Sequence, residues 1–385
     1  MLNSLTIAIV PVLFAFCLAF SACQPRNMTT PVASAETLST PTPFDPNSIT
    51  IAAVGDIMLG SPFPNDTRMP PNDGADLLKN VTSVLSSADI AFGNLEGPMI
   101  DRGDSLKCPK PKPIDPNAAR TKPPEPIRCY AFRVPTRYGK YLKSAGFDVL
   151  SVANNHAGDF GDAGRTSTRK VLDELGIKHA GSDKTQFSTT YLDVKGTKIA
   201  FIGFAHNNIA PNVNNLAAAR QLVMEADKKA DIVVVSFHGG AEGIAAQNVP
   251  KMTEMFFGEK RGNLPLFART VIDAGADLVL GHGPHVLRGM EIYKDRLINY
   301  SLGNFATYGW FRLENETALT MILEVSLASD GKFLGGKIHA GKQAGRGGPV
   351  LDETGEAIRK VRSLSQIDFG TSAPKIADDG MISIK

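Results

Sequence analysis

Strand after strand in this chain ends on a polar residue able to hold a ligand or a proton. The apolar run Ser48 to Val54 stops at Gly55-Asp56, Asp89 to Phe92 stops at Gly93-Asn94-Leu95-Glu96, and Phe147 to Ala153 stops at Asn154-Asn155-His156. Lys198 to Phe204 ends near His206, and Asp231 to Phe237 ends at His238. Ala276 to Leu280 ends at a turn carrying His282 and His285, and Arg296 to Ser301 ends at Gly303-Asn304. Between these runs lie segments with helical apolar spacing: Ala75 to Ser87, Pro135 to Ala145, Arg165 to Leu175, Ala217 to Lys229 and Leu264 to Ala274. Strands alternating with helices predict an α/β core. Ligand sites in such sheets lie outside the carboxyl ends of the strands, so the polar strand ends predict one shared site. Of the seven histidines, His156, His238, His282 and His285 fall there, more than scattered structural histidines would supply.

The residue types narrow the chemistry. Asp56 and Glu96 are carboxylates, Asn94 and Asn155 amides, and His156, His238, His282 and His285 imidazoles, with no cysteine among them. A nitrogen and oxygen set suits a divalent metal such as Zn, Mn, Fe or Mg. A metal so held makes hydroxide from water and polarises a phosphoryl or acyl oxygen, leaving spare histidines for proton transfer. Taken alone, His282 and His285 fit a solvated turn equally well. Ser301 has no nucleophile elbow around it, and neither a P-loop nor a G-x-G-x-x-G follows any strand. Asp56 and Glu96 as a glycosidase pair would leave the histidines without a role.

The strings AAVGDIMLG (52 to 60), FGNLEGP (92 to 98), GFDVLSVANNHAGDFG (146 to 161), HGGAEG (238 to 243) and GHGPHVLRGMEIYKDRLINYSLGNF (281 to 305) resemble the capsule-synthesis CapA family. Its members are associated with making or anchoring poly-γ-glutamate. Its domain is similar in fold to calcineurin-like metallophosphatases, which implies a four-layer α/β/β/α β-sandwich flanked by helices. The resemblance implies a metal set of Asp56, Glu96, Asn155, His238, His282 and His285, with His156, Asn155 and His238 in catalysis. Asn94, Arg288 and Asn304, beside these, are assigned to substrate binding. The chain departs from the phosphatase pattern at Met58, at the longer spacing between His282 and His285, and at Glu96, which stands where an aspartate would. A mononuclear or altered site therefore stays open beside a dinuclear one.

Outside this core, Leu5 to Phe20 has the length of a signal-peptide apolar segment, and Phe20-Ser21-Ala22-Cys23 resembles a lipoprotein processing box. The expected organisation is a signal peptide over 1–22, a tether over 23–48, a domain over 49–365 and a tail over 366–385. Export is expected, with lipidation of Cys23 favoured over plain secretion. Cys108 and Cys129 then remain as an even pair in an oxidising compartment and suggest a disulfide stapling the basic, Pro-rich insertion 102–134. A net charge of +2 gives no reason to propose nucleic acid. The expected function is capsule or poly-γ-glutamate biosynthesis through a metal-dependent hydrolase or transferase site, with an anionic polymer and a membrane synthase complex as partners. Two alternatives remain: a non-catalytic anchored scaffold, and a phosphoesterase unrelated to capsule.

Overall fold

A computed structural model describes residues 48–105, 107–108, 129–343 and 345–384. The signal segment, Cys23, the tether and most of the Pro-rich insertion lie outside them. The site-bearing strands are β1 (Ile49–Met58), β2 (Ile90–Leu95), β3 (Phe147–Ser151), β4 (Thr197–Ala205), β5 (Ile232–His238), β6 (Leu278–His282) and β7 (Asn304–Thr307). Their continuous apolar runs suit parallel strands covered on both faces. β1, β2 and β3 lie side by side in parallel, and β7 joins the end of β1, within a ten-stranded sheet. β4, β5 and β6 pair in parallel within a six-stranded sheet.

The cores define the layers. Ile51, Ala53, Phe92 and Val149 of the larger sheet meet Phe201, Val234, Leu278 and Leu280 of the smaller one. On the outer face of the larger sheet, Val54, Ala91 and Leu150 are covered by Leu142 and by Leu172 of α1 (Gly161–Glu174). On the outer face of the smaller sheet, Ala200, Val233 and Val279 are covered by α2 (Leu216–Asp227) and α3 (Leu264–Ile272) through Val223, Phe267 and Val271. The expected α/β/β/α sandwich is what the chain forms. Among the described residues no helix is long and apolar enough to cross a membrane.

Two expectations need correction. Only Thr82–Leu85 of the expected helix 75–87 is α-helical. Upstream, Asn72 and Asp73 take φ of 49° and 48°, and the Asp73 carboxylate accepts bonds from Arg137 and Tyr138. That turn carries Leu77, Leu78 and Val81 into the core without a helix. Nor is 366–385 a tail. Helix α4 (Glu356–Phe369) buries Ala357, Ile358 and Val361 between the sheets. Met381–Ser383 then pairs with the long strand Phe333–Gln343. The two-residue apolar signal of Ile376 and Ile382 is too short to show as periodicity.

The Cys108–Cys129 disulfide is formed, with Cα atoms 5.6 Å apart. Closing a loop of sequence separation 21 would stabilise a fold by about 3 kcal/mol in the chain-entropy limit. Because the loop is an insertion, Cys108→Ser/Cys129→Ser is expected to cost less than that in thermal unfolding.

Candidate metal centre

Side-chain alternation explains why the histidines converge. Val234 of β5 and Leu278 and Leu280 of β6 point between the sheets. Continuing by twos, His238 and His282 point the same way, and the register places them side by side. Gly281, just before His282, lets the strands approach, since a Cβ there would lie 2.4 Å from the Tyr300 carbonyl oxygen. Gly55 does the same before Asp56, where a Cβ would lie 2.0 Å from the Gly303 oxygen. From the facing sheet come Asp56 at the bend of β1 and Glu96 just past β2, both fully buried. His285 follows on the turn with φ of 58°, an uncommon conformation for a non-glycine residue. Asn304 pins it there, donating to the His285 carbonyl at 3.1 Å and facing its Nδ1 with Oδ1 at 3.1 Å.

The side chains meet around two carboxylates. Nε2 of His285, His238 and His156 lie 3.7, 3.9 and 4.0 Å from Glu96 Oε1. Nδ1 of His285 is 3.0 Å from Asp56 Oδ2, and Nδ1 of His282 is 3.5 Å from Asp56 Oδ1. Two donors bound about 2.1 Å from one ion sit roughly 3–4 Å apart. Asp56, Glu96 and His285 offer donor atoms within 4.8 Å of one another, so these three could hold a metal ion. Both oxygens of Glu96, both ring nitrogens of His282, His238 Nε2 and Asn155 Oδ1 are buried without a hydrogen-bond partner. Buried polar atoms without partners are costly and uncommon. Their convergence fits a divalent cation.

The electrostatics agree. Burial works to raise Asp56, but contacts with His282 and His285 outweigh it and hold the carboxyl well below its usual range. Burial and the neighbouring charges of Asp56 and Glu242 drive Glu96 well above its usual value, against the pull of His285. Burial opposes charge on His285 too, yet Glu96 and Asp56 lift it to about 10. Burial pushes His238 well below its usual range. In the metal-free site, the proton on His285 is therefore the counter-charge. A cation held by His285 and Glu96 needs both in their deprotonated forms, so metal uptake at neutral pH is expected to release at least one proton. Calorimetric titration in buffers of different ionisation heat checks this; a buffer-independent heat would contradict it.

Supporting residues fill in the rest. Asn94, expected to bind substrate, is fully buried. Its amide donates to Asp56 Oδ1 at 2.8 Å and sits 3.3 Å from His238 Nδ1. Asn154 in turn donates to Asn94 at 3.2 Å and to the Leu95 carbonyl at 2.9 Å. His156 stacks on Phe132, and its Nδ1 is 2.7 Å from Asp159 Oδ2. Burial lowers His156, partly offset by Asp159.

Arg288, expected to touch substrate, is fully buried. It donates to Glu254 at 2.7 and 2.9 Å and to the Ala246 and Ala241 carbonyls. Arg261 lines the cleft instead; it donates to Glu242, Glu259 and the Gly240 carbonyl and has Nη1 3.2 Å from His206 Nε2. Burial and Arg261 lower His206 to about 4. With Arg261 donating to Nε2, the neutral ring's Nδ1–H is left to face the His238 carbonyl at 3.3 Å.

Above the centre opens a cleft of about 740 Å³, in which Asn155, His156, His285 and Asn304 form part of the wall. Phe132, Trp310, Phe311, Phe256 and Phe257 make the remainder largely aromatic, with Lys107, Arg261, Arg312, Glu242 and Glu259 as charged groups. Asp159 and Asn154 sit inside the ANNHAGDFG string and could have been read from their spacing to His156. Arg261 and Glu242 are joined only by the fold.

A two-sheet sandwich with this donor cluster at the strand ends defines a class, and the sequence agrees with it. Residues 50–308 match the family described as bacterial capsule synthesis protein PGA_cap, and the chain belongs to that family. It is 31% identical over 288 residues to the PGA biosynthesis protein CapA of Bacillus subtilis, covering 70% of this chain and 66% of that protein. It is 28% identical over 345 residues to the capsule biosynthesis protein CapA of Bacillus anthracis, covering 84% of this chain and 74% of that protein. Among solved structures, a 5'-nucleotidase precursor from Thermus thermophilus aligns at 12% identity and a TM-score of 0.39, over 84% of this chain and 59% of that one.

Proposed function

We propose that the protein acts outside the cytoplasm in making capsule or poly-γ-glutamate, through hydrolase or transferase chemistry at a divalent-cation site. The cluster of unpartnered buried carboxylate and imidazole atoms at the cleft floor carries this reading. Asp56, Glu96, His238, His282 and His285 would hold the metal, with Asn155 offering its free oxygen. A bound divalent cation lowers the pKa of water and polarises an acyl or phosphoryl oxygen. His156 holds or moves a proton at Nε2 while Asp159 fixes its other nitrogen. Lys107 and Arg312 on the cleft wall supply cations for an anionic polymer. The proposed setting is a chain anchored through Cys23, beside a membrane synthase.

The aromatic cleft wall also suits a scaffold that binds polymer without turning it over. One experiment separates the readings: the full chain is offered a γ-glutamyl polymer and a generic phosphate ester, with and without chelator. Turnover lost in chelator and restored by one metal is expected, and lost again in His282→Ala. Polymer binding that persists in chelator without turnover would overturn the enzyme reading. Turnover of the generic ester alone would overturn the capsule substrate.

Asp159→Asn is expected to lower turnover about 10–100-fold, since an amide no longer favours the tautomer that leaves Nε2 free. Steady-state kinetics beside an unchanged melting temperature check this.

A further inference from the structure

A two-stranded hairpin, Glu254–Phe256 paired with Glu259–Gly262, borders the cleft. Its root is fixed by polar groups: Glu254 accepts from Arg288 and from the Ala241 N–H, and Arg261 donates to the Gly240 carbonyl. Its tip is apolar. Phe257 is 90% exposed, and Met255 and the preceding Met252 are 53% and 67% exposed. Phe257 also takes φ of 46°, at a turn position where Gly, Asn or Asp is the usual choice. Among the described residues the one ring contact of Phe257 is with its neighbour Phe256, at 4.4 Å between centroids, and the rest of the ring stays exposed. Lys251 and Lys260 flank the tip, both exposed, and neither makes an ion pair among the described residues. Apolar side chains flanked by two lysines, with the neighbouring Glu259 carboxylate paired to Arg261, match the chemistry of an anionic lipid surface.

We propose that this hairpin inserts its tip into an anionic membrane surface, which sets the mouth of the cleft at the headgroup level. Phe256 and Phe257 are also cleft-lining residues, so a substrate held at the membrane reaches the site directly. The proposal rests on the export and Cys23-anchor reading for how the chain comes to a membrane. Ile49 pairs with Leu327, so the turn at Asp330 lies at the end of the sandwich opposite the site.

The test places a nitroxide label at Phe257→Cys or at Asp330→Cys in the full chain, with the unsubstituted chain labelled in parallel for background. The vesicles are phosphatidylcholine and phosphatidylglycerol, and depth is read from oxygen and nickel accessibility. The label at 257 is expected in the acyl region and the label at 330 in water. Met255→Ser/Phe257→Ser in a Cys23→Ser background is expected to weaken vesicle association about tenfold or more. A chain that binds vesicles while 257 stays in water overturns the docking and leaves the anchor standing. A Cys23→Ser chain that still inserts residue 257 supports docking independently of the anchor. Immobilisation of the label without vesicles would point to a second copy of the chain and overturn the proposal.

Discussion

Glu96→Gln is expected to make the metal-free protein more stable and to leave it unable to hold a divalent cation. Glu96 is fully buried, and neither of its oxygens has a hydrogen-bond partner. Burial, with Asp56 and Glu242 nearby, lifts its pKa well above the ordinary value. A carboxyl raised in the folded state binds more protons there than in the unfolded chain. It therefore destabilises the fold as pH rises past its unfolded value. The amide cannot ionise and so removes that pH-dependent cost. The gain is expected to be larger at pH 8 than at pH 4, where the carboxyl is protonated in both states. Metal affinity is expected to fall about 100-fold or more, because the lost group is a ligand rather than a ligand's support. Calorimetric melting with and without Mn or Zn reads both effects. A less stable metal-free variant that still gains stability from metal would contradict this account of Glu96. Stability sacrificed at a site for function is a common trade.

Arg288→Met is expected to produce the largest loss of stability, about 3–5 kcal/mol, without changing metal uptake by the folded fraction. The guanidinium is fully buried and forms a paired contact with Glu254, itself buried. Removing it leaves Glu254 as an unpaired charge in a low-dielectric setting. Arg288→Met/Glu254→Leu is expected to regain much of the loss, as replacing both members of a buried pair commonly does. Denaturant unfolding of the single and double variants measures this. A variant of normal stability with weakened substrate binding would restore the role that its position in the sequence suggested.

Arg288 shows where the sequence misleads. It lies three residues beyond His285, which places it near the site in the chain, but its side chain runs away from the cleft to Glu254. The convergence of Asp56, Glu96, His238, His282 and His285 was legible because each ends or closely follows an apolar run. Strand alternation then turns His238 and His282 between the sheets without further information. The layers were legible for a similar reason, since helices and strands alternate with clear apolar spacing. Arg261 and Glu242 were not, because their meeting depends on how a hairpin folds back over the HGGAEG loop. The helix expected over 75–87 failed for a local cause: Asn72 and Asp73 in left-handed backbone send the chain through turns. The closing strand Met381–Ser383 escaped notice because three residues carry no period. Its partner lies far back in the chain at Gly336 and Lys337.

The most direct test of the central claim is metal titration of the full chain beside His285→Ala. The unsubstituted chain is predicted to take up a divalent cation, to release at least one proton and to melt at a higher temperature when loaded. His285→Ala is predicted to release fewer protons and to lose most of the affinity. An unsubstituted chain that takes up no Mn, Zn, Fe or Mg above background, with its melting temperature unmoved by any of them, would contradict the account.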